Sequence, residues 1–171
     1  MNVRVLSGAF IIEGQDFLMM KRAENKKIAP GMWAGVGGHS EPSEINNPKA
    51  ACIREIYEET GIEEKNLEKL ELRYIILRRD KAEITLIYYF IGLACTRYYE
   101  DKTQEGKLYW ISESELMDRP MSFEVRKMLE HYRETGYRNC DINVGTVSTA
   151  ENEPTMNWNT LKVWEGLTGF E

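Results

Sequence analysis

The sequence predicts an α/β architecture, in the α+β sense of a mixed sheet with helices on both faces, and three observations carry that reading. Apolar, β-rich runs both precede and follow a single well-capped amphipathic helix. One of the later runs is apolar on both of its faces, and further helical patterns follow it. With 171 residues and 42% apolar content, the chain is long enough to bury one full core, and no linker, repeat or low-complexity tract divides it.

Val3 to Ile12 and Asp16 to Lys21 are apolar runs around Glu13-Gly14-Gln15, which predicts a hairpin. Lys21-Arg22 then leads into a polar loop, Ala23 to Ala29, read either as a phosphate contact or as a solvated loop. Pro30-Gly31 marks a turn, after which Met32 to Val36 runs into the pair Gly37-Gly38. The helix comes next. Asn47 stands at its N-cap and Pro48 at its first position, where a missing N–H is no loss, and Gly61 ends it in the left-handed conformation. Cys52, Ile53, Ile56 and Tyr57 form the stripe expected to pack on the sheet.

Leu70 to Arg78 and Glu83 to Leu93 read as strands around a polar turn at Arg79 to Ala82. In the second, Ile84, Leu86, Tyr88 and Phe90 alternate with Thr85, Ile87, Tyr89 and Ile91, which predicts a central strand covered on both sides. Leu108 to Ile111 is a short strand, and Ser112 is placed to cap a helical turn over Glu113 to Met117. Pro120 and Ser122 introduce a last helix, with Phe123, Met128 and Leu129 buried and its charges elsewhere. Beyond Thr135 no clear period is visible, although Thr155 to Trp164 has strand composition. Trp158 and Trp164 argue against a disordered tail. Residues 1–136 therefore make the domain, and 137–171 an extension packed on the same domain or on the partner in a homodimer.

The net charge of −6 offers no basic field for a nucleic-acid polymer. Cys52, Cys95 and Cys140 are odd in number and lack histidines at ligand spacing, so they read as reduced thiols. The apolar run from Val5 to Ile12 is too short to span a membrane and has no cleavage site after it. A cytoplasmic protein without a membrane partner is expected. His39 and His131 receive no chemical role.

Within the helix, Glu55, Glu58 and Glu59 stand at i, i+3 and i+4, so they share an arc of roughly 100°. Like charges so placed destabilise an isolated helix. Either the face is simply solvated, with Arg54 neutralising one carboxylate, or a hard divalent cation bridges the others through oxygen ligands.

The run Gly38, five residues, Glu44, then Arg54-Glu55-Ile56-Tyr57-Glu58-Glu59-Thr60-Gly61-Ile62 resembles the signature of the Nudix hydrolase family and covers about a seventh of the chain. One departure is that nine residues separate Glu44 from Arg54 where the family has seven. The extra two fall in Ile45 to Lys49, before or at the helix start. The resemblance implies the Nudix α/β/α sandwich and a Mg²⁺-dependent hydrolase, with Mn²⁺ as a substitute, that cleaves the pyrophosphate of a nucleoside diphosphate linked to a group X. It further implies metal ligands at Glu55, Glu58, Glu59 and the Gly38 carbonyl, with Arg54 orienting a neighbouring carboxylate and Glu44 supporting it.

Trp33-Ala34-Gly35-Val36-Gly37-Gly38 resembles a spelling found in MutT-type members that hydrolyse nucleoside triphosphates. Trp33 is read either as core or, with Arg22, as a substrate contact. In MutT-type enzymes an asparagine near the last helix reads an oxidised purine, and Pro120 to Phe123 contains none. Hydrolases of ADP-ribose, dinucleotides or nucleotide sugars form the second reading, and a non-catalytic nucleotide-binding Nudix domain the third. For the general base there are two candidates. Glu55 is one, but a carboxylate that binds a cation is a poor proton acceptor. Glu105, followed by Gly106 and later Trp110, resembles the loop glutamate of MutT-type enzymes, and is otherwise a solvated loop carboxylate.

Overall fold

The computed structural model describes residues 1–101, 103–136 and 139–163. The chain opens with a hairpin of β1 (Asn2–Glu13) and β2 (Asp16–Arg22), closed at Gly14 with φ 63°. Two short strands, β3 (Trp33–Ala34) and β4 (Val36–His39), lead to helix α1 (Pro48–Thr60). A long antiparallel pair follows, β5 (Leu67–Asp80) and β6 (Glu83–Ala94), then β7 (Gly106–Ser112). Short helix α2 (Glu113–Leu116), helix α3 (Phe123–His131) and a final hairpin of β8 (Ile142–Ala150) and β9 (Glu153–Leu161) complete the described residues.

The strands form one mixed sheet in the order β3-β2-β1-β6-β5-β8-β9, with β4 added to β1 and β7 to β2. Strands β1 and β6 are parallel, as are β5 and β8, whereas the hairpin pairs are antiparallel. The two-faced run thus lies in the middle, between β1 and β5. Its period of two sorts side chains to opposite sides. Phe10, Ile12, Phe17, Met19 and Tyr74 meet Val125, Met128 and Leu129 of α3 on one face. Ala9, Ile11, Leu18, Met20 and Phe90 meet Cys52 and Ile56 of α1 on the other. The result is a three-layer α/β/α sandwich.

The helix caps follow the local chemistry. Asn47 Oδ1 accepts from the Ala50 N–H at 3.2 Å, Pro48 holds the first position, and Gly61 adopts φ 69°. The stripe that α1 buries is shifted from the expected one. Ala51, Cys52, Ile56, Glu59 and Thr60 are buried, Ile53 is half-buried and Tyr57 is 48% exposed. Packing against β1 and β4 turns the helix so that Glu59, not Tyr57, faces inward. A similar correction applies to α3, where Glu124 in the first turn is buried instead of solvated, and Phe123 is only half-buried. Ser112 stands at the start of α2, but its hydroxyl meets Ser114 Oγ at 3.0 Å and caps no backbone N–H.

Strand β8 has no counterpart among the elements expected from sequence because its inward positions include Asn143 and Gly145, which erase the apolar alternation. A Cβ on Gly145 would lie 2.6 Å from the Trp158 ring, so glycine there lets β9 lay its tryptophan against the core. Trp158 packs edge-on to Tyr74 and against His131. Trp164 lies outside the described residues.

One buried cation ties this hairpin to the sheet. Arg73, 5% exposed, donates to the carbonyls of Gly136 (3.0 Å), Asn139 (2.6 Å) and Asp141 (3.2 Å) and lies over the Tyr132 ring. Arg73→Met keeps the aliphatic stem and removes every donor, which strands these carbonyls. A destabilisation of about 3 kcal/mol is expected in urea unfolding. A change below about 1 kcal/mol would mean that the carbonyls find other partners and that the arginine is no clamp.

Candidate active site

The site begins with two glycines. Gly37 has φ 149°, and a Cβ there would lie 2.4 Å from the Gly8 Cα, so β4 presses backbone against backbone on β1. At Gly38 a Cβ would lie 2.6 Å from the Glu55 carboxylate. The missing side chains make room for the acidic groups of α1. Glu59 Oε2 accepts the Gly37 N–H at 2.8 Å, which fixes this carboxylate beneath the turn.

Burial dominates the electrostatics of both groups. It pushes the Glu59 carboxyl up to about 8, against the pull of the Gly37 N–H and with added repulsion from Glu55 and Glu105. Burial also raises Glu55, opposed by its hydrogen bond from Arg54. Arg54 sits in the acidic fan. It grips Glu44 with two hydrogen bonds of 2.9 Å and donates to Glu55 at 2.9 Å, to Glu58 at 3.1 Å and to the His39 carbonyl at 3.0 Å. That bidentate grip holds the Glu44 carboxyl below the usual range. Turns over residues 42–46 absorb the two extra residues, so Glu44 still reaches Arg54 across the insertion.

A cavity of about 600 Å³ opens over these groups. Glu55, Glu59, Gly37, Gly38, Arg22 and Glu105 all line it. Glu105 reaches it from the segment before β7, where Lys26 Nζ lies 2.6 Å and Arg22 Nη2 3.3 Å from its oxygens. Chiefly through Lys26, these cations depress its carboxyl. Arg22 also donates to the Ile28 carbonyl at 3.1 Å, which draws the loop after β2 over the cavity.

Not every expected residue converges. Glu58 does not line the cavity and has a side chain 55% exposed, paired with Arg54. Trp33 does not line it either. Its ring is buried, with the Tyr109 centroid at 5.4 Å and the Arg119 guanidinium at 5.2 Å. Lys26 lies in the polar loop already read as a phosphate contact or a solvated loop, whereas Arg78, Thr85 and Glu124 carry no signal of a site in the sequence, because they come from β5, β6 and α3 and no local spacing joins them.

Among the described residues no three His, Cys, Asp or Glu side chains already converge on a metal position. The donor chemistry nevertheless fits a hard divalent cation. Glu59 is a buried carboxylate with no cation paired to it among the described residues, Glu55 is a half-buried one that shares Arg54 with Glu44 and Glu58, the Gly38 backbone adjoins Glu55, and every donor would be oxygen.

The model of the NUDIX domain family matches residues 3–132. This chain belongs to the Nudix family. Solved structures agree in fold. A MutT protein from Bacillus halodurans superposes with a TM-score of 0.72 at 20% identity, over 91% of this chain and 97% of that one. The NUDIX domain of Shewanella oneidensis NrtR, solved with ADP-ribose, gives 0.61 at 16% identity over 78% and 86%. A C. elegans Ap4A hydrolase, solved as a binary complex, gives 0.61 at 17% over 78% and 98%. As a Nudix hydrolase the chain is a pyrophosphohydrolase enzyme. No helix among its described residues is long and apolar enough to cross a membrane.

Proposed function

We propose that this Nudix hydrolase is a MutT-type nucleoside triphosphate pyrophosphohydrolase that uses Mg²⁺, in which Glu55, Glu59, Glu58 and the Gly38 carbonyl hold the cation and Glu105 is the general base. The observation that carries the reading is the shared cavity. Buried Glu59 and half-buried Glu55 of α1, the anionic Glu105 and the cation Arg22 face one space of about 600 Å³, a size that suits a nucleotide. Glu58 would join the set by leaving Arg54.

The reaction is hydrolysis of the bond between the α- and β-phosphates, a transfer of the nucleotidyl group to water that gives a nucleoside monophosphate and pyrophosphate. Glu55, Glu58, Glu59 and the Gly38 carbonyl would hold Mg²⁺, which when bound would supply positive charge against the phosphates and lower the pKa of water. Arg22, with Lys26 behind it, attracts the phosphate oxygens and sets the chain of phosphates against α1. Glu105 accepts the proton of the water as its oxygen bonds to phosphorus, and the pyrophosphate leaves on the opposite side. Arg54 holds Glu44 and Glu55 in place, so Glu55 cannot swing into the solvent. Three unpaired thiols support the cytoplasm as the compartment.

ADP-ribose, dinucleotides and nucleotide sugars remain the second substrate class, supported by the likeness to the ADP-ribose-bound NrtR domain and the Ap4A hydrolase. Release of nucleoside monophosphate from a panel of nucleoside triphosphates and of these compounds, with and without Mg²⁺, decides between the classes. Triphosphates should turn over fastest. Faster cleavage of ADP-ribose or a dinucleotide would overturn the MutT-type reading.

A further inference from the structure

A second group of polar residues lines the same cavity, on the sheet face covered by α3, and the hydrolytic chemistry proposed for α1 does not use it. Glu124, in the first turn of α3, is buried, and its Oε1 accepts from Arg78 Nη1 of β5. Arg78 is held in turn by Asp80, through Nε at 2.8 Å. Thr85 of β6 is 3% exposed, and its Oγ1 has no hydrogen-bond partner among the described residues. Thr85, Ile87 and Tyr89 alternate onto one face of β6 and line the cavity together with Arg78 and Glu124. A buried hydroxyl without a partner calls for a ligand atom, and Ile87 and Tyr89 offer apolar surface beside it.

The pair has a definite hydrogen-bonding pattern. Arg78 can only donate, and a Glu124 carboxylate can only accept, through two oxygens. The matching ligand edge reads acceptor, donor, donor. In a 2-amino-6-oxopurine the O6, the N1–H and the 2-amino group present that order. Adenine supplies one donor and one acceptor, so one carboxylate oxygen is left without a proton to accept. Cytosine sets N3 and O2 against the carboxylate, and uracil sets a carbonyl oxygen there.

We propose that Glu124, together with Arg78 and the Thr85 hydroxyl, reads the base of the substrate and selects guanine nucleotides. The inference rests on the nucleotide pyrophosphohydrolase reading and adds the base to it.

The test is kcat/KM for the guanine, adenine, cytosine and uracil triphosphates in Mg²⁺, for the native enzyme and two variants. The native enzyme should prefer guanine by about 10- to 100-fold. Glu124→Gln should lose that factor with guanine while holding or gaining with adenine, because an amide offers one acceptor and one donor, the complement of the adenine edge. A residue that merely straps α3 to β5 cannot invert the order of bases. Equal rates with all four bases in the native enzyme, or an equal loss with all four in Glu124→Gln, would overturn the inference. Should Glu124→Gln fail to fold, Thr85→Val decides the matter, with a selective loss for guanine expected and a base-independent effect overturning the inference. Cleavage of no nucleotide by the native enzyme would overturn the underlying hydrolase reading and this inference with it, whereas base-blind cleavage overturns this inference alone.

Discussion

Glu59→Gln is expected to lower kcat by at least about 10², because removing one ligand charge costs several kcal/mol of transition-state stabilisation. The variant should fold. Its amide keeps an oxygen for the Gly37 N–H that Glu59 now accepts at 2.8 Å, and it removes a charge that burial disfavours. The same residue predicts a pH signature in the metal-free protein. The Glu59 carboxyl is raised from 4.5 to about 8, so the folded state binds a proton that the unfolded state releases. Stability from this group is full below about 4.5 and is lost as pH rises through about 8. Glu59→Gln should flatten that slope, and it should reduce the stabilisation that added Mg²⁺ gives the native protein. Melting curves across pH, with and without Mg²⁺, test both effects. Near-normal turnover at subsaturating Mg²⁺ would sink the ligand assignment.

Glu105→Gln should lower kcat by about 10² to 10⁴ while Mg²⁺ affinity changes little, since it keeps the shape and removes the basicity. Lys26 and Arg22 hold the carboxyl below its usual range, which keeps it ionised and ready to accept a proton as the pH falls. The acid limb of kcat/KM should therefore lie below the ordinary carboxylate range. Lys26→Met, which removes the largest cause of that depression, should move the limb to higher pH. Full activity of Glu105→Gln with an unaltered pH profile would return the role of base to Glu55.

Much of the helix was legible because its determinants are local. Asn47, Pro48 and Gly61 act on backbone groups within a turn of themselves, and the i, i+3, i+4 spacing of Glu55, Glu58 and Glu59 follows from helix geometry alone. The central place of β6 was also visible, since a strand apolar on both faces has to be covered on both. Strand β8 was not, because its buried Asn143 and Gly145 are explained only by partners far away in sequence.

The sequence by itself determined the layered α/β fold, the start and end of α1, and the carboxylate face with Arg54 in its midst. Those features arise from backbone geometry and periodicity, which short stretches encode completely. Which carboxylates are buried was decided by the tertiary structure alone, through the rotation of α1 against β1 and β4 that turns Glu59 inward and leaves Glu58 exposed. Packing also brought Arg22, Lys26 and Glu105 together and set Arg78 on Glu124 beside Thr85. Desolvation and pairing depend on where distant strands meet, and no local spacing records that meeting.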